Sequence, residues 1–318
     1  MQPQVISLKH IIFVFVGLLC LTPLLNAPVA LLIGLAMALA GFVPSHIDIQ
    51  QLLKRLLAWS IVGMGFGVSL SSAMNSSLAY LPLLVVSILA TLLLASLGTR
   101  LLKIEPTTGT LIGAGTAICG GSAIAAVAAA IQANSRYIGV ALGCVSLLNA
   151  TALWIFPWVG QMLELSQQQF GVWAALAIHD TSSVVGAAGF YGNEALELAT
   201  TLKLTRALAI VPLALTFSWW YARTNKQVEG MVKKPAIPFF IVFYVIAMLI
   251  AEFIPQGAPV YSLVFDVAKS LLVVCLYLVG ASLSLAAIKA AGLRPMLLAI
   301  ALWVVISAVT LSWVYYFI

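Results

Sequence analysis

Two basic residues lie within an apolar segment, one helical turn apart. Lys203 and Arg206 belong to the stretch ATTLKLTRALAIVPLAL. Residues three apart share one face of a helix. Arginine presents a planar fork to two oxygens, and lysine acts as a compact point charge. The pair therefore predicts a binding site for a small anion, with Asp180, Glu197 and Asp266 as candidate counter-ions. The alternative is a helix that begins near Thr205, with Lys203 reaching the membrane surface.

A second ionisable pair, His179 and Asp180, comes directly before Thr181, Ser182 and Ser183. Histidine titrates near neutral pH, and a neighbouring carboxylate can hold or relay a proton. We therefore predict that His179 and Asp180 carry or gate a coupled proton. The alternative is that His179 is a hydrogen-bonded packing residue.

The stretch TAICGGSAIAA, residues 116–126, places two glycines and a serine in an apolar helix. Each glycine costs about 1 kcal/mol relative to alanine inside a helix. We predict that the helix is interrupted here and that Ser122 caps the half-helix that follows. Free N–H groups at such an end bind anions. The predicted substrate-binding residues are Cys119, Gly120, Gly121, Ser122, Thr181, Ser182, Ser183, Lys203 and Arg206. The alternative is a small-residue patch that serves close helix packing.

The composition is that of an integral membrane protein. The chain has 318 residues, of which 63% are hydrophobic and 8% charged, and its mean hydropathy is +1.13. Soluble domains carry about 25% charged residues. The formal charge of +6 lies mostly in short loops, where it indicates orientation and not a nucleic-acid partner. The four cysteines lie in apolar segments without metal-ligand spacing, so we predict no disulfide framework and no metal site.

Apolar runs long enough to cross a bilayer core of about 30 Å recur along the whole chain. They predict one all-α transmembrane domain over residues 1–318. Eleven spans are predicted, at residues 10–26, 28–44, 56–73, 79–99, 107–132, 137–160, 170–191, 195–222, 236–254, 264–286 and 295–317. The interruptions in the fifth and seventh spans fall near mid-depth at 1.5 Å per residue. We expect these two broken helices to cross there.

Basic residues alternate between the predicted connections. Lys54, Arg100 and Lys103 lie in connections on one side, and Arg136 is the basic exception on the other. The bias places the N-terminus in the cytoplasm and the C-terminus in the periplasm. The segments GVSLSSA (67–73) and GASLSLA (280–286) are similar and are predicted to run in opposite directions. Such an echo is typical of the inverted repeats of secondary transporters.

The chain resembles a known family in TGTLIGAGTAICGGSAIAAVAAAI and in AIHDTSSVVGAAGFYGNEALELATTLKLTRAL. These stretches look like the YeiH-like sulfate exporter family of bacterial inner-membrane proteins, over nearly the whole chain. The family usually has Ala where this chain has Gly121, and Ala-Gln where it has Ser182 and Ser183. The resemblance implies a transporter of the bile acid/arsenite/riboflavin type, with inverted repeats and crossed, broken helices. It implies sulfate, sulfite or a sulfonate as the substrate.

The sequence as a whole predicts a secondary transporter of a small anion in the bacterial inner membrane. No nucleotide-binding or hydrolytic motif is present, so we expect no enzyme activity and no cofactor. A proton or a sodium ion is the candidate coupling ion, and a homodimer is compatible with the sequence. Two alternatives are a passive anion channel of the same architecture and a membrane protein with a sensory or assembly role. The near absence of extramembrane sequence disfavours the latter.

Overall fold

The computed structural model of the chain describes residues 8–22, 24–25, 27–44, 47–224, 239–282 and 292–318. Within these ranges the regular structure is helical, which confirms the predicted all-α fold class. The α-helices are α1 (Leu8–Leu19), α2 (Ala27–Leu39), α3 (Ile49–Met64), α4 (Leu70–Leu101), α5 (Pro106–Ala117), α6 (Gly121–Ala130), α7 (Ser135–Met162), α8 (Gln167–Ala177), α9 (Thr181–Tyr191), α10 (Asn193–Ala207), α11 (Ile210–Thr224), α12 (Phe239–Phe253), α13 (Ala258–Ser282) and α14 (Leu293–Phe317). Short 3₁₀ helices at Gly65–Gly67 and Pro255–Gly257 follow α3 and precede α13.

The helices agree with a polytopic membrane protein. Each of the eleven predicted spans overlaps at least one of them. In the described part of the chain, five helical segments are long and apolar enough to cross a membrane, namely Leu70–Leu101, Ser135–Met162, Asn193–Tyr221, Pro255–Ser282 and Leu293–Phe317. Four shorter apolar helices lie at Lys9–Leu19, Val29–Leu39, Gly121–Ala130 and Phe239–Phe253.

The chain divides into two compact units. The first comprises Met1–Ser72 and Phe239–Ser284, and the second Ala73–Pro238 and Leu285–Ile318. The first predicted repeat copy, residues 67–73, spans the end of a 3₁₀ helix and the start of α4. The second copy begins at the end of α13, and its residues 283–286 lie outside the described ranges. The inverted repeat therefore stays a prediction.

Helix α13 is the centre of the first unit, where it packs against α2 and α3. A Cβ atom at Gly34 of α2 would collide with the carbonyl oxygen of Tyr277, so only glycine permits this close approach. The Tyr277 hydroxyl donates to the carbonyl of Phe13 at 3.0 Å, which ties α1 to the same helix. This unit contains none of the predicted site residues.

In the second unit, α8 and α9 form a helical hairpin. The rings of Phe170, near the start of α8, and Tyr191, at the end of α9, are stacked with centroids 3.8 Å apart. The Tyr191 hydroxyl donates to the carbonyl of Leu165 at 2.6 Å. Next to it, the Gln167 side chain accepts from the amide of Glu194 at 3.0 Å. Both ends of the segment therefore lie together, and its interruption at Ile178–Asp180 is a tip at which the chain reverses.

The segment from α5 to α6 folds back in the same way. The side chain of Ile124 in α6 packs on Gly115 in α5, where an added Cβ would be only 2.9 Å from it. Nine residues of continuous helix would separate these positions by about 13.5 Å. The reversal occurs at Gly120, whose φ of 65° and ψ of −121° lie in a region that side chains disfavour. We name α5–α6 the first hairpin and α8–α9 the second hairpin.

The hairpins correct the predicted course of two spans. The interruptions occur where the sequence predicts them, but the segments 107–132 and 170–191 do not continue in one direction; each reverses at its interruption, so that its second helix packs back along its first. Their helices have 12, 10, 11 and 11 residues, about 15–18 Å each, roughly half of a 30 Å core. Without these two segments, nine of the eleven predicted spans are left as predicted crossings. Because both numbers are odd, the prediction that the termini lie on opposite sides of the membrane is unchanged.

The predicted span at 195–222 also has an interruption that the sequence analysis missed. Helix α10 ends at Ala207 and α11 begins at Ile210. Between them the amides of Leu208 and Ala209 bond three residues back, to the carbonyls of Thr205 and Arg206. Pro212 explains this tightening, because proline has no N–H and its ring crowds the carbonyl four residues earlier.

Candidate functional site

The tips of the two hairpins meet beside the middle of α7. A Cβ at Gly120 would lie 3.4 Å from the Cα of Asp180 and 3.4 Å from a methyl carbon of Val145. Helix α7 has 28 residues, or about 42 Å, and Val145 lies in its middle turns. The tips are therefore at mid-depth relative to this long helix, which agrees with the predicted depth of the interruptions.

Asn149 of α7 holds the tip of the second hairpin. Its Oδ1 accepts from the amide of His179 at 3.2 Å and from the amide of Asp180 at 3.1 Å. Asn149 is buried, and the tip amides have no helical partner because α8 has ended. A buried amide without a partner costs about 1–3 kcal/mol. One side chain thus stabilises the reversal of the chain, and the sequence analysis did not identify it.

Asp180 caps the N-terminus of α9. Its carboxylate accepts from the amide of Ser182 at 2.9 Å and also from the Ser182 hydroxyl. A carboxylate at this end interacts favourably with the helix dipole. Thr181 and Ser183 are buried in the same turn. An amide at the N-terminus of α9 therefore donates to a carboxylate of the chain itself. The sequence had predicted that this helix end binds the substrate.

The N-terminus of α6 is arranged differently. Its N-cap is Gly120, which has no side chain to donate or accept, so the prediction that Ser122 caps this helix is wrong. Ser122 is exposed at the second position of α6. Cys119 is buried, and its sulfur accepts a hydrogen bond from the backbone amide of Ala123. Of the two half-helices, α6 is the one whose N-terminus carries no carboxylate cap.

Lys203 and Arg206 are buried at the end of α8. Their exposed fractions are 0% and 1%, and α10 begins at Asn193, which excludes the alternative of a lysine at the membrane surface. Lys203 Nζ donates to the carbonyls of Ala175 and Ile178 at 3.2 and 2.6 Å. Arg206 Nη1 donates to the carbonyls of Ala175 and Leu176 at 3.3 and 2.6 Å. These carbonyls would bond to the next turn if α8 continued.

Small residues in α8 allow it to pack closely against α10, which carries Lys203 and Arg206. A Cβ at Gly171 would lie 3.1 Å from the carbonyl oxygen of Ala195, so α8 and α10 approach closely. From Gly171–Ala195 to Ala175–Lys203 the residue numbers rise together, and the two helices therefore run parallel. Lys203 reaches the tip of the second hairpin because its depth along α10 matches the length of α8.

One edge of the Arg206 guanidinium has no partner among the described residues. Within the described ranges, Nε and Nη2 are buried and make no hydrogen bond. These two nitrogens form the side-on edge of the guanidinium, which can donate two parallel bonds to an oxyanion. An unsatisfied pair of charged donors in a buried position is costly. The edge is thus a candidate recognition element for two oxygens of a ligand.

The predicted counter-ions contribute unequally. Lys203 is close enough to Asp180 and Cys119 to interact with them electrostatically. Asp266 instead pairs with Lys269 in α13 at 3.4 Å, at an exposed position. His179 is buried in the tip of the second hairpin, close enough to Lys203 and Arg206 to interact with them electrostatically, and in the described part of the chain both of its ring nitrogens lack a hydrogen-bond partner.

The structure therefore brings most predicted site residues into one cluster, which we call the tip cluster. It contains Cys119, Gly120, His179, Asp180, Lys203 and Arg206, with Asn149 as the member that the sequence analysis missed. A polar side chain in the middle of an apolar helix is a signal that could have found Asn149. The carbonyls of α8 carry no sequence signal at all, because every residue has one.

Comparisons with known proteins place the chain within one group of membrane proteins. The profile of the family "Conserved hypothetical protein 698" matches residues 5–299. A UPF0324 membrane protein of Vibrio vulnificus is 50% identical over 305 residues, covering 96% of this chain and 97% of the relative. One of Shewanella oneidensis is 47% identical over 308 residues, covering 97% and 95%. One of Bacteroides thetaiotaomicron is 41% identical over 302 residues, covering 94% and 89%. No solved structure matches the chain.

Proposed function

Starting from the fact that the chain belongs to the UPF0324 membrane protein family, we propose that it is a secondary transporter of a small oxyanion. The single observation that carries the proposal is the unpartnered Nε–Nη2 edge of Arg206, buried where the tips of the two hairpins meet. Two charged donors buried at mid-depth without acceptors are unfavourable, and a ligand with two oxygens offsets that cost by accepting from both.

The hairpins support transport. Irregular backbone at membrane depth is tolerated where it lines a cavity or is buried in protein, and discontinuous helices of this kind form the sites of secondary transporters. The N-terminus of α6, which carries no carboxylate cap, adds N–H groups close to the same point. In this conformation the Arg206 edge is buried, so a ligand must enter through movement of a tip. A site that is closed until something moves favours a carrier over a permanently open pore.

The charge of the site favours an anion of low valence. Arg206 and Lys203 supply up to two positive charges, and Asp180 removes one of them. The resemblance to sulfate exporters suggests sulfate, sulfite or a sulfonate, all of which present paired oxygens. Transport, in this proposal, takes place in the bacterial inner membrane and requires neither a cofactor nor a chemical change of the anion.

The proposal is tested by ligand-induced thermal stabilisation of the purified protein. The panel comprises sulfate, sulfite, thiosulfate, taurine, phosphate and dicarboxylates. A ligand at 100 times its Kd stabilises the folded state by about 2.7 kcal/mol. Arg206→Lys keeps the charge but removes the side-on edge, so we expect it to lose most of the stabilisation. Arg136→Lys, at an exposed position, is the matched control and should behave like the wild type.

Two results would contradict the proposal. One is a wild-type protein that no anion of the panel stabilises and that moves none of them in proteoliposomes. The other is an Arg206→Lys variant that binds as tightly as Arg136→Lys. Anion conductance without exchange or uptake would instead favour the channel alternative.

A further inference from the structure

We propose that Lys203 is the group that takes up a proton when the anion binds, so that the anion and one proton occupy the site together. The inference rests on the proposed function and assigns its coupling. It differs from the sequence-based prediction that His179 and Asp180 carry the proton.

The hydrogen bonds of Lys203 match those of a neutral amine. An ammonium group has three N–H donors, and its neutral form has two. Within the described ranges, Lys203 Nζ has two acceptors, the carbonyls of Ala175 and Ile178. Both N–H donors of the neutral form therefore have an acceptor. Protonation creates a third donor, which needs an acceptor that an incoming oxyanion supplies.

The charge balance gives the same answer. With Lys203 neutral, the positive charge of Arg206 is offset by the carboxylate of Asp180. The partial charges of the helix ends at the tips oppose one another, because two C-termini and two N-termini meet there. Protonation of Lys203 leaves one uncompensated positive charge in a buried place, which is unfavourable. A bound monovalent oxyanion cancels it, so proton and anion stabilise each other.

The other titratable groups around Lys203 are less suited to this role. Arg206, one turn along α10, stays protonated at physiological pH. Asp180, at the start of α9, uses its carboxylate to cap that helix, and a proton there would weaken the cap. Both ring nitrogens of His179 lack a hydrogen-bond partner in the described ranges, so its protonated form would have two unsatisfied donors, whereas that of Lys203 has one. Cys119 is buried, and its sulfur already bonds to the backbone.

Glu197 is the carboxylate of α10 that lies nearer to Lys203 along the helix, since Glu194 is exposed in the first turn. Glu197 is partly exposed and lies six residues before Lys203, about 9 Å along the axis of α10. At that distance it can influence the field at Lys203 but cannot accept its third N–H directly. The third donor therefore remains available to a ligand at the tips.

The experiment is calorimetry of anion binding to the full-length protein in detergent. Titrations in buffers of different ionisation enthalpy give the number of protons taken up per anion. The probe is the panel anion that stabilises the wild type most. We expect uptake of about one proton per anion. The affinity should then fall by up to about tenfold for each unit rise in pH, over the range where Lys203 is neutral before the anion binds. Lys203→Arg, which is always charged, should bind without proton uptake and with little pH dependence.

His179→Gln is the matched variant, because it removes the rival titratable group and keeps a polar side chain. Retained proton uptake in His179→Gln, together with its loss in Lys203→Arg, supports the inference. Anion binding by the wild type without proton uptake overturns the inference and leaves the proposed function standing. Loss of uptake in His179→Gln also overturns it, in favour of the histidine. If the wild type binds no anion of the panel, the proposed function itself fails.

Discussion

Replacing Gly120 with alanine tests the geometry of the first hairpin tip. Gly120 has φ of 65° and ψ of −121°, outside the regions that residues with a Cβ readily adopt. Holding a non-glycine residue in such a region costs about 1–3 kcal/mol. Space is not the obstacle, because the added Cβ would be 3.4 Å from its nearest neighbours, an ordinary contact. The expected loss therefore comes from backbone strain.

Gly121→Ala provides the control one residue further on. Gly121 is the first residue of α6, and its Cβ would lie 3.5 Å from a methyl carbon of Leu142. Alanine in a helix is more stable than glycine by up to about 1 kcal/mol. Gly121→Ala should therefore be neutral or stabilising, while Gly120→Ala destabilises. The two substitutions add the same methyl group to adjacent residues.

The assay is thermal unfolding of both variants in the same detergent. At about 2–4 °C per kcal/mol, we expect the Tm of Gly120→Ala to lie several degrees below that of Gly121→Ala. We also expect Gly120→Ala to lose ligand-induced stabilisation, because the strained tip moves away from Asp180. Equal Tm values for the two variants would refute the positive-φ geometry at the tip, and with it the reversal of the chain at Gly120.

Three further predictions concern the hairpins and their support. Asn149→Leu leaves two buried amides without an acceptor and should lower the free energy of unfolding by about 1–3 kcal/mol per amide. Asn149→Asp keeps the acceptor and is the comparison variant. Equal unfolding free energies for the two variants would contradict the role of Asn149. Single cysteines at Arg136 and Lys103 should be labelled from the same side of the membrane, and labelling from opposite sides would mean that the first hairpin crosses. In a background without native cysteines, a short thiol crosslinker should join Gln167→Cys to Glu194→Cys, since these residues are hydrogen-bonded where α8 begins and α9 has ended. Failure to crosslink in folded protein would argue against the reversal of the second hairpin.

The sequence by itself was enough to identify a membrane protein and to select the residues that are unusual inside its apolar segments. Long apolar runs with few charged residues indicate a membrane protein, because charged groups and unpaired polar groups are costly in the bilayer core. Glycine pairs and buried cations are costly there, so Gly120, Lys203 and Arg206 could be selected without a structure. The positions of both interruptions, at Ile118–Gly120 and Ile178–Asp180, follow from the same reasoning.

The direction of the chain after each interruption was not determined locally. A glycine permits a positive φ but does not decide whether the next helix continues or returns. The return is decided by contacts distant in sequence, such as Phe170 on Tyr191 and Ile124 on Gly115. One sequence signal did point to it. Arg136 breaks the charge pattern of eleven crossings but joins the same side as Arg100 and Lys103 once the first hairpin returns.

The partners of the charged residues were decided only by the tertiary structure. The sequence predicted carboxylates or a substrate beside Lys203 and Arg206, but the acceptors within the fold are carbonyls of α8. Every residue carries a carbonyl, so composition cannot reveal which ones are left unpaired at a helix end. The parallel packing of α8 and α10 brings those carbonyls to the depth of the cations, and in the part of the chain that the structure describes one edge of Arg206 is left without a partner. The cost of burying charge selects the residue types, and packing over long sequence separations selects what they contact.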